Sequence, residues 1–166
     1  RTLEDANKFG DVLKKGRRIV IIGGGYIGLE AAAVCAQKGM KVTLVEAGLR
    51  ILQRVACRET SEWFKRLHSE EGVDIKEGVG LSHFEGQGGK LTRAVLNDKS
   101  VIDAEVAVVG IGILPSTELA EECGLAVENG IIVNGVCQTN DLDIYAAGDC
   151  AVSDYKGILT RLESVP

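Results

Sequence analysis

The sequence predicts an α/β fold, with a parallel sheet, helices packed on it and an antiparallel β-meander. Three observations predict it. Runs of apolar residues such as Ile19-Val20-Ile21-Ile22 and Ala107-Val108-Val109 are continuous rather than alternating, as in strands buried on both faces. Between the first of these and a second apolar run at 41–46 lies an alanine-rich stretch of helical character, which gives β-α-β order. Finally, 21 of the 166 residues are glycine, nearly twice the usual share of about 7 %. Those glycines sit where the backbone has to turn sharply or come close to something.

The elements follow in order. Residues 2–15 read as a helix: Thr2 and Asp5 form a capping box, Gly16 is the left-handed stop, and Leu3, Ala6, Phe9 and Leu13 recur at helical spacing as a core face. Residues 17–23 are a strand, 24–38 a helix closed by Gly39, and 41–46 a second strand. Residues 58–71 form a helix with Trp63, Phe64 and Leu67 inward and Gly72 as its stop, followed by a strand over 73–79. From 80 to 104, short alternations broken by Gly86, Gly88, Gly89 and Asn97-Asp98 predict hairpins. A strand over 105–113, a short helix over 117–123, a hairpin about Glu128-Asn129-Gly130 and a last strand over 143–147 complete the chain.

Composition narrows the function. The formal net charge of −5 argues against nucleic acid as a partner. The longest apolar run, from Ile19 to Leu29, has 11 residues, against about 20 for a membrane span. Five cysteines, Cys35, Cys57, Cys123, Cys137 and Cys150, form no Cys-x-x-Cys and read as reduced thiols of a cytoplasmic protein. His68 and His83 have no partner at metal-ligand spacing and read as surface residues, so no metal is expected. The basic run Lys14-Lys15-Arg17-Arg18 reads as a solvated helix end rather than a docking patch. With Arg1 in place of methionine at the start, the chain is expected to be a piece of a longer protein.

Gly23-Gly24-Gly25-Tyr26-Ile27-Gly28 is a Gly-x-Gly-x-x-Gly between a strand and a helix, the context in which that pattern binds a dinucleotide. Gly23 permits the tight turn, Gly25 lets pyrophosphate approach the backbone, and Gly28 lets the helix lie close on the sheet, with free N–H groups at its start. Glu46 ends the second strand, 18 residues after Gly28, where a carboxylate takes the adenosine ribose hydroxyls and repels a 2′-phosphate; NADH is therefore expected over NADPH. Arg50, Arg54 and Arg58 recur every four residues, as on one helical face; they read either as a solvated face or as contacts to adenine or phosphate that would also admit NADPH, and Arg54 alone is kept as a candidate. Glu30 lies on the first turns of the glycine-led helix, either functional or solvent-facing. Asp149 follows a strand into Gly148-Asp149, which puts its carboxylate at a strand's carboxyl end or at a helix cap.

Gly-Gly-Gly-Tyr-Ile-Gly-Leu-Glu (23–30), Val-Val-Gly-Ile-Gly (108–112) and Asp-Ile-Tyr-Ala-Ala-Gly-Asp (143–149) together resemble the FAD-dependent pyridine nucleotide-disulfide oxidoreductases. Arg-Thr-Leu-Glu-Asp-Ala (1–6) and Arg-Leu-Glu-Ser-Val-Pro (161–166) are similar to the ferredoxin, rubredoxin and putidaredoxin reductase branch. The resemblance implies a Rossmann-like FAD/NAD(P)-binding domain and hydride transfer from NADH to FAD, then single electrons to a ferredoxin- or rubredoxin-type acceptor, with no protein acid or base required. It implies that Glu46 and Arg54 bind the adenosine ribose and that Glu30 lies near the nicotinamide in a positioning role. It places Gly110, Ile111 and Gly112 beside the nicotinamide and Asp149 on the FAD ribitol. It makes residues 1–112 the NADH domain and 113–166 a returning part of the FAD domain, so that the piece alone is expected to be inactive. Ser116 stands where many relatives have asparagine. The family's first Gly-x-Gly-x-x-Gly, for FAD, is not in this chain, nor is the segment that carries a redox cysteine pair in glutathione-reductase relatives. An NADH oxidase or monodehydroascorbate reductase type, and a non-catalytic NAD-binding module similar to apoptosis-inducing factor, remain as alternatives.

Overall fold

The computed structural model describes residues 2–161. The chain divides into two compact units, Arg1–Ile111 and Gly112–Pro166.

In chain order the first unit contains α1 (Leu3–Val12), β1 (Arg18–Ile22), α2 (Tyr26–Gln37), β2 (Lys41–Glu46), α3 (Arg58–Glu70), β3 (Val73–Glu77), β4 (Leu81–Gln87), β5 (Lys90–Leu96), β6 (Val101–Asp103) and β7 (Val106–Val109). Its main sheet has the order β3-β2-β1-β7, every pair parallel. The continuous apolar run of β1 has a direct cause. Ile19 and Ile21 pack with Leu29, Ala32 and Cys35 of α2 and with Ile51 and Leu52. Val20 and Ile22 point the other way, onto Ala94 and Leu96 of the antiparallel sheet β4-β5-β6 and Ala104 just past β6. One face of the sheet is therefore covered by helices and the other by the meander, so neither set of β1 residues meets water. The β4–β5 turn uses Gly88 and Gly89, both at positive φ (60° and 74°), as a two-residue hairpin turn requires.

Two helices depart from expectation. The Thr2–Asp5 capping box of α1 is formed in both directions. The helix ends at Val12 rather than 15, and Leu3 and Ala6 are exposed; only Phe9 and Leu13 reach the core. In α3 the inward face is Ser61, Phe64 and His68, while Trp63 and Leu67 are exposed. His68 is thus buried, not a surface residue: its Nδ1 lies 3.0 Å from the Phe64 carbonyl and its Nε2 3.2 Å from that of Leu29 in α2. Two polar residues can line this face because backbone oxygens meet them there. His83 is exposed, beside Glu85. In the basic run, Arg17 and Arg18 pair with Glu105 and Arg18 also with Asp103, while Lys14 and Lys15 are exposed.

The second unit contains α4 (Glu118–Glu122), β8 (Ile131–Val133), β9 (Ala151–Tyr155) and β10 (Ile158–Thr160). Strand β9 pairs parallel with β8 and antiparallel with β10. The hairpin expected about Glu128-Asn129-Gly130 is reduced to one bridge, Val127 to Ile131, with Asn129 and Gly130 at positive φ. The strand expected over 143–147 does not form. Its Ile144 carbonyl and Ala146 N–H bond to Thr139 and Cys137 of the adjacent loop, so it is a single bridge, Gln138 to Tyr145, with no partner strand.

Among the described residues, no helix is long and apolar enough to cross a membrane, and no cluster of three or more His, Cys, Asp or Glu side chains could hold a metal. All five cysteines are free; Cys35 is buried and Cys57, Cys123 and Cys137 are exposed. Burial pushes the Cys35 thiol up, away from the reactive thiolate. Iodoacetamide on the native protein is expected to label Cys57, Cys123 and Cys137 within minutes and Cys35 only after unfolding. Peptide mass spectrometry checks this, and prompt native labelling of Cys35 would contradict it.

Candidate functional site

The site begins where β1 runs out. Gly23 has φ +108°, a conformation that excludes side chains. A Cβ there would stand 2.3 Å from the Gly110 carbonyl oxygen just past β7. Glycine at 23 thus serves the turn and also a close approach from the neighbouring strand end. Gly28, in the first turn of α2, is excluded from carrying a Cβ by Gly23 itself, whose carbonyl oxygen would lie 1.9 Å away. The close packing that Gly28 allows is therefore against the turn that precedes its own helix. Gly25 differs: φ is −80° and a Cβ would meet nothing within 4 Å. It is the N-cap of α2 with no side-chain capping bond, so the helix start faces open space with its N–H groups and positive dipole end.

Glu46, at the carboxyl end of β2, is tied into this turn. Its Oε2 accepts from the Gly24 N–H at 2.6 Å and its Oε1 from the Gly48 N–H at 2.5 Å. Gly24 in turn accepts from the Leu52 N–H at 2.8 Å. A Cβ on Gly24 would lie 2.7 Å from Ile51 Cγ2. The segment 47–57 is thus folded back onto the glycine turn and is a chain of turns, with Leu52 at φ +53°. This corrects the expectation that Arg50, Arg54 and Arg58 share a helical face. Arg50 bonds the Ser61 hydroxyl at 2.5 Å, Arg58 pairs with Glu62 at 2.7 Å, and Arg54 is exposed and makes no hydrogen bond or ion pair with the described residues.

Tyr26 and Ile27 project from the first turn of α2, about half exposed or more. Glu30, one turn on, is exposed. Gly110 is half-buried, with its N–H on the Ile22 carbonyl, and Ile111 beside it is 72 % exposed. The first unit therefore brings Gly23, Gly25, Tyr26, Ile27, Gly28, Glu46, Gly110 and Ile111 to the carboxyl ends of β1, β2 and β7. That edge is where ligands bind in open α/β sheets. Gly112 (φ +138°) and Asp149 belong to the second unit. Asp149 lies in a turn started by Gly148 at φ +83° and closed by the Ala151 N–H on the Gly148 carbonyl, just before β9. It precedes a strand rather than ending one, and caps no helix.

Sequence reasoning missed Ser61 and Glu77. Ser61 is buried and donates to the Ile51 carbonyl at 2.7 Å. Glu77 accepts from the Ile51 N–H at 2.8 Å and pairs with Lys65 at 2.6 Å. A signal existed for Glu77: it ends β3 in register with Glu46 at the end of β2. Ser61, Glu77 and Arg50, with Arg58, Glu62 and Lys65, line a groove of about 610 Å³ along α3; no residue of the glycine turn lines it.

The glycine turn, the uncapped start of α2 and the acid at the end of β2 are arranged as in α/β proteins of the Rossmann class. The chain belongs to the pyridine nucleotide-disulphide oxidoreductase family, whose model matches residues 1–166. It is 42 % identical to putidaredoxin reductase of Pseudomonas putida over 170 residues, all of this chain and 40 % of that protein. It is 41 % identical to a ferredoxin–NAD(P)(+) reductase of a Sphingomonas species, over 99 % of this chain and 41 % of that one. Among solved structures, the covalent putidaredoxin reductase–putidaredoxin complex superposes with a TM-score of 0.90 at 41 % identity, covering 99 % of this chain and 40 % of that one. The chain thus spans about two fifths of the length of the curated relatives it matches.

Proposed function

We propose that this chain is the NADH-binding part of a flavoprotein reductase that passes reducing equivalents from NADH through FAD to a ferredoxin-type iron–sulfur protein. The observation that carries the reading is the open face of Gly25 at the uncapped start of α2, beside a carboxylate held at the end of β2. The relatives named for putidaredoxin and ferredoxin reduction support the choice of acceptor.

The chemistry the two cofactors supply when bound is hydride transfer from nicotinamide to flavin, followed by single-electron transfer. The residues of this chain bind and orient. Gly25 leaves room for pyrophosphate over the α2 N-terminus, whose N–H groups and dipole meet its charge, while Gly23 and Gly28 let the turn and helix pack closely beneath it. Glu46 takes the adenosine ribose hydroxyls and disfavours a 2′-phosphate, hence NADH over NADPH; Arg54, free and exposed, covers the same end. Glu30, Tyr26, Ile27, Gly110, Ile111 and Gly112 border the nicotinamide. Asp149 holds the ribitol of FAD in the whole protein. On this reading residues 1–112 form the NADH domain and 113–166 contribute to the FAD domain. The five free cysteines fit a reducing, cytoplasmic location.

The test is the reduction of a [2Fe–2S] ferredoxin by the whole protein with NADH, with NADPH in parallel. Expected are flavin bleaching on NADH addition and ferredoxin turnover several-fold faster than with NADPH. Flavin reduction without ferredoxin reduction would favour the oxidase type. NADH binding with no flavin in the whole protein would favour a sensing module. The 166-residue chain alone is expected to lose FAD on gel filtration.

A further inference from the structure

We infer that Ser61 and Glu77 are positioning residues that grip the backbone of Ile51 and so hold the segment 47–57 onto the glycine turn, setting the affinity for the adenosine half of the dinucleotide. The inference rests on the reading of that turn as the NADH site.

Segment 47–57 belongs to no helix or strand, so its shape depends on the bonds its backbone makes to other elements. At Ile51 these bonds come from side chains. The Ile51 N–H donates to Glu77 Oε1 from the end of β3, and the Ile51 carbonyl accepts from the Ser61 hydroxyl of α3. Each gripping side chain is held in turn. Glu77 Oε2 takes the Lys65 ammonium, and the Ser61 oxygen takes Arg50 Nη1.

Ile51 is fully buried and stands against Gly24, while the next residue, Leu52, donates to the Gly24 carbonyl. Gly24 is also the residue whose N–H orients the Glu46 carboxylate. A shift of Ile51 is therefore passed over two short contacts to Glu46. Neither Ser61 nor Glu77 takes part in the turn itself; they act through Ile51. Without them the protein keeps its sheet but loses the fixed placing of the group that receives the ribose.

The experiment is calorimetric titration of the whole protein, with oxidised flavin, by NADH and by ADP-ribose. Glu77→Ala and Ser61→Ala are each expected to raise both dissociation constants about tenfold. The flavin reduction rate at saturating NADH should stay unchanged. Glu77→Gln keeps an acceptor for the Ile51 N–H and is expected to recover most of the affinity, which a general loss of stability would not explain. In a Glu46→Ala background the same substitutions should cost far less, because the group they position is gone.

The inference is overturned if folded Glu77→Ala and Ser61→Ala proteins, checked by thermal melting, bind ADP-ribose as the unmodified protein does. It is also overturned if Glu77→Gln is no better than Glu77→Ala, or if the loss persists undiminished in the Glu46→Ala background. Failure of the unmodified protein to bind NADH would overturn the NADH reading itself, a result the unmodified control identifies by itself.

Discussion

Gly28→Ala is expected to destabilise the first unit by about 3 kcal/mol or more. The new methyl would lie 1.9 Å from the Gly23 carbonyl oxygen, and neither partner can yield cheaply. Gly28 is in the first turn of α2, and Gly23 is locked at φ +108° against the Gly110 carbonyl. Relief requires α2 to lift from β1, which opens the packing of Leu29, Ala32 and Cys35 on Ile19 and Ile21. Urea unfolding should show a lower midpoint at nearly constant slope. The informative control is Gly25→Ala, three residues earlier. Its Cβ meets nothing within 4 Å and its φ of −80° suits alanine. That protein is expected to unfold at the same urea concentration as the original, yet to bind NADH at least about tenfold more weakly, because the methyl occupies the space left for the ligand. Equal unfolding midpoints for the Gly28→Ala and unmodified proteins would contradict the packing account, and unimpaired binding by Gly25→Ala the ligand account.

Glu46→Ala is expected to act on stability and on cofactor choice together. It leaves the Gly24 and Gly48 N–H groups without their acceptor, at a cost of about 2 kcal/mol for two partly buried donors. On the proposed reading it also removes the carboxylate that receives the ribose. NADH affinity should fall at least about tenfold. NADPH affinity should fall less, because the repulsion of a 2′-phosphate is removed at the same time. The ratio of the two dissociation constants therefore narrows. Parallel calorimetric titrations check this; an unchanged ratio would remove Glu46 from the selection of cofactor.

The parts of this molecule legible in its sequence are those with local causes. The β1 run and the Gly23–Gly28 turn are written in contiguous residues, because the sheet covers β1 on both faces and the turn excludes side chains at fixed offsets. What was misread depends on distant partners. Trp63 and Leu67 are large apolar residues of α3 left exposed, yet Ser61 and His68 face inward beside Phe64, drawn by the carbonyls of Ile51 and Leu29. The fourfold spacing of Arg50, Arg54 and Arg58 suggests a helix that Leu52 cannot continue, since its N–H is spent on Gly24 and its φ is positive. The 143–147 segment has a strand's composition and no strand to pair with. Ala151–Tyr155, with Ser153 and Asp154 inside it, becomes a strand because Ile131–Val133 lies beside it.

The covering of one sheet face by a meander separates two kinds of evolutionary freedom. The root of the meander is bonded to the site, through the Gly78 N–H on the Gly48 carbonyl and the Val79 N–H on the Glu46 carbonyl. Its tip at Gly88-Gly89 lies a full seven-residue strand away, roughly 20 Å along β4 at about 3.3 Å per residue. Length and charge can drift at that tip without disturbing the groups that would receive a ribose. The same drift at Gly78 or Val79 would be felt at Glu46 at once. Within one sheet, descendants of this sequence have one end open to variation and one end closed to it.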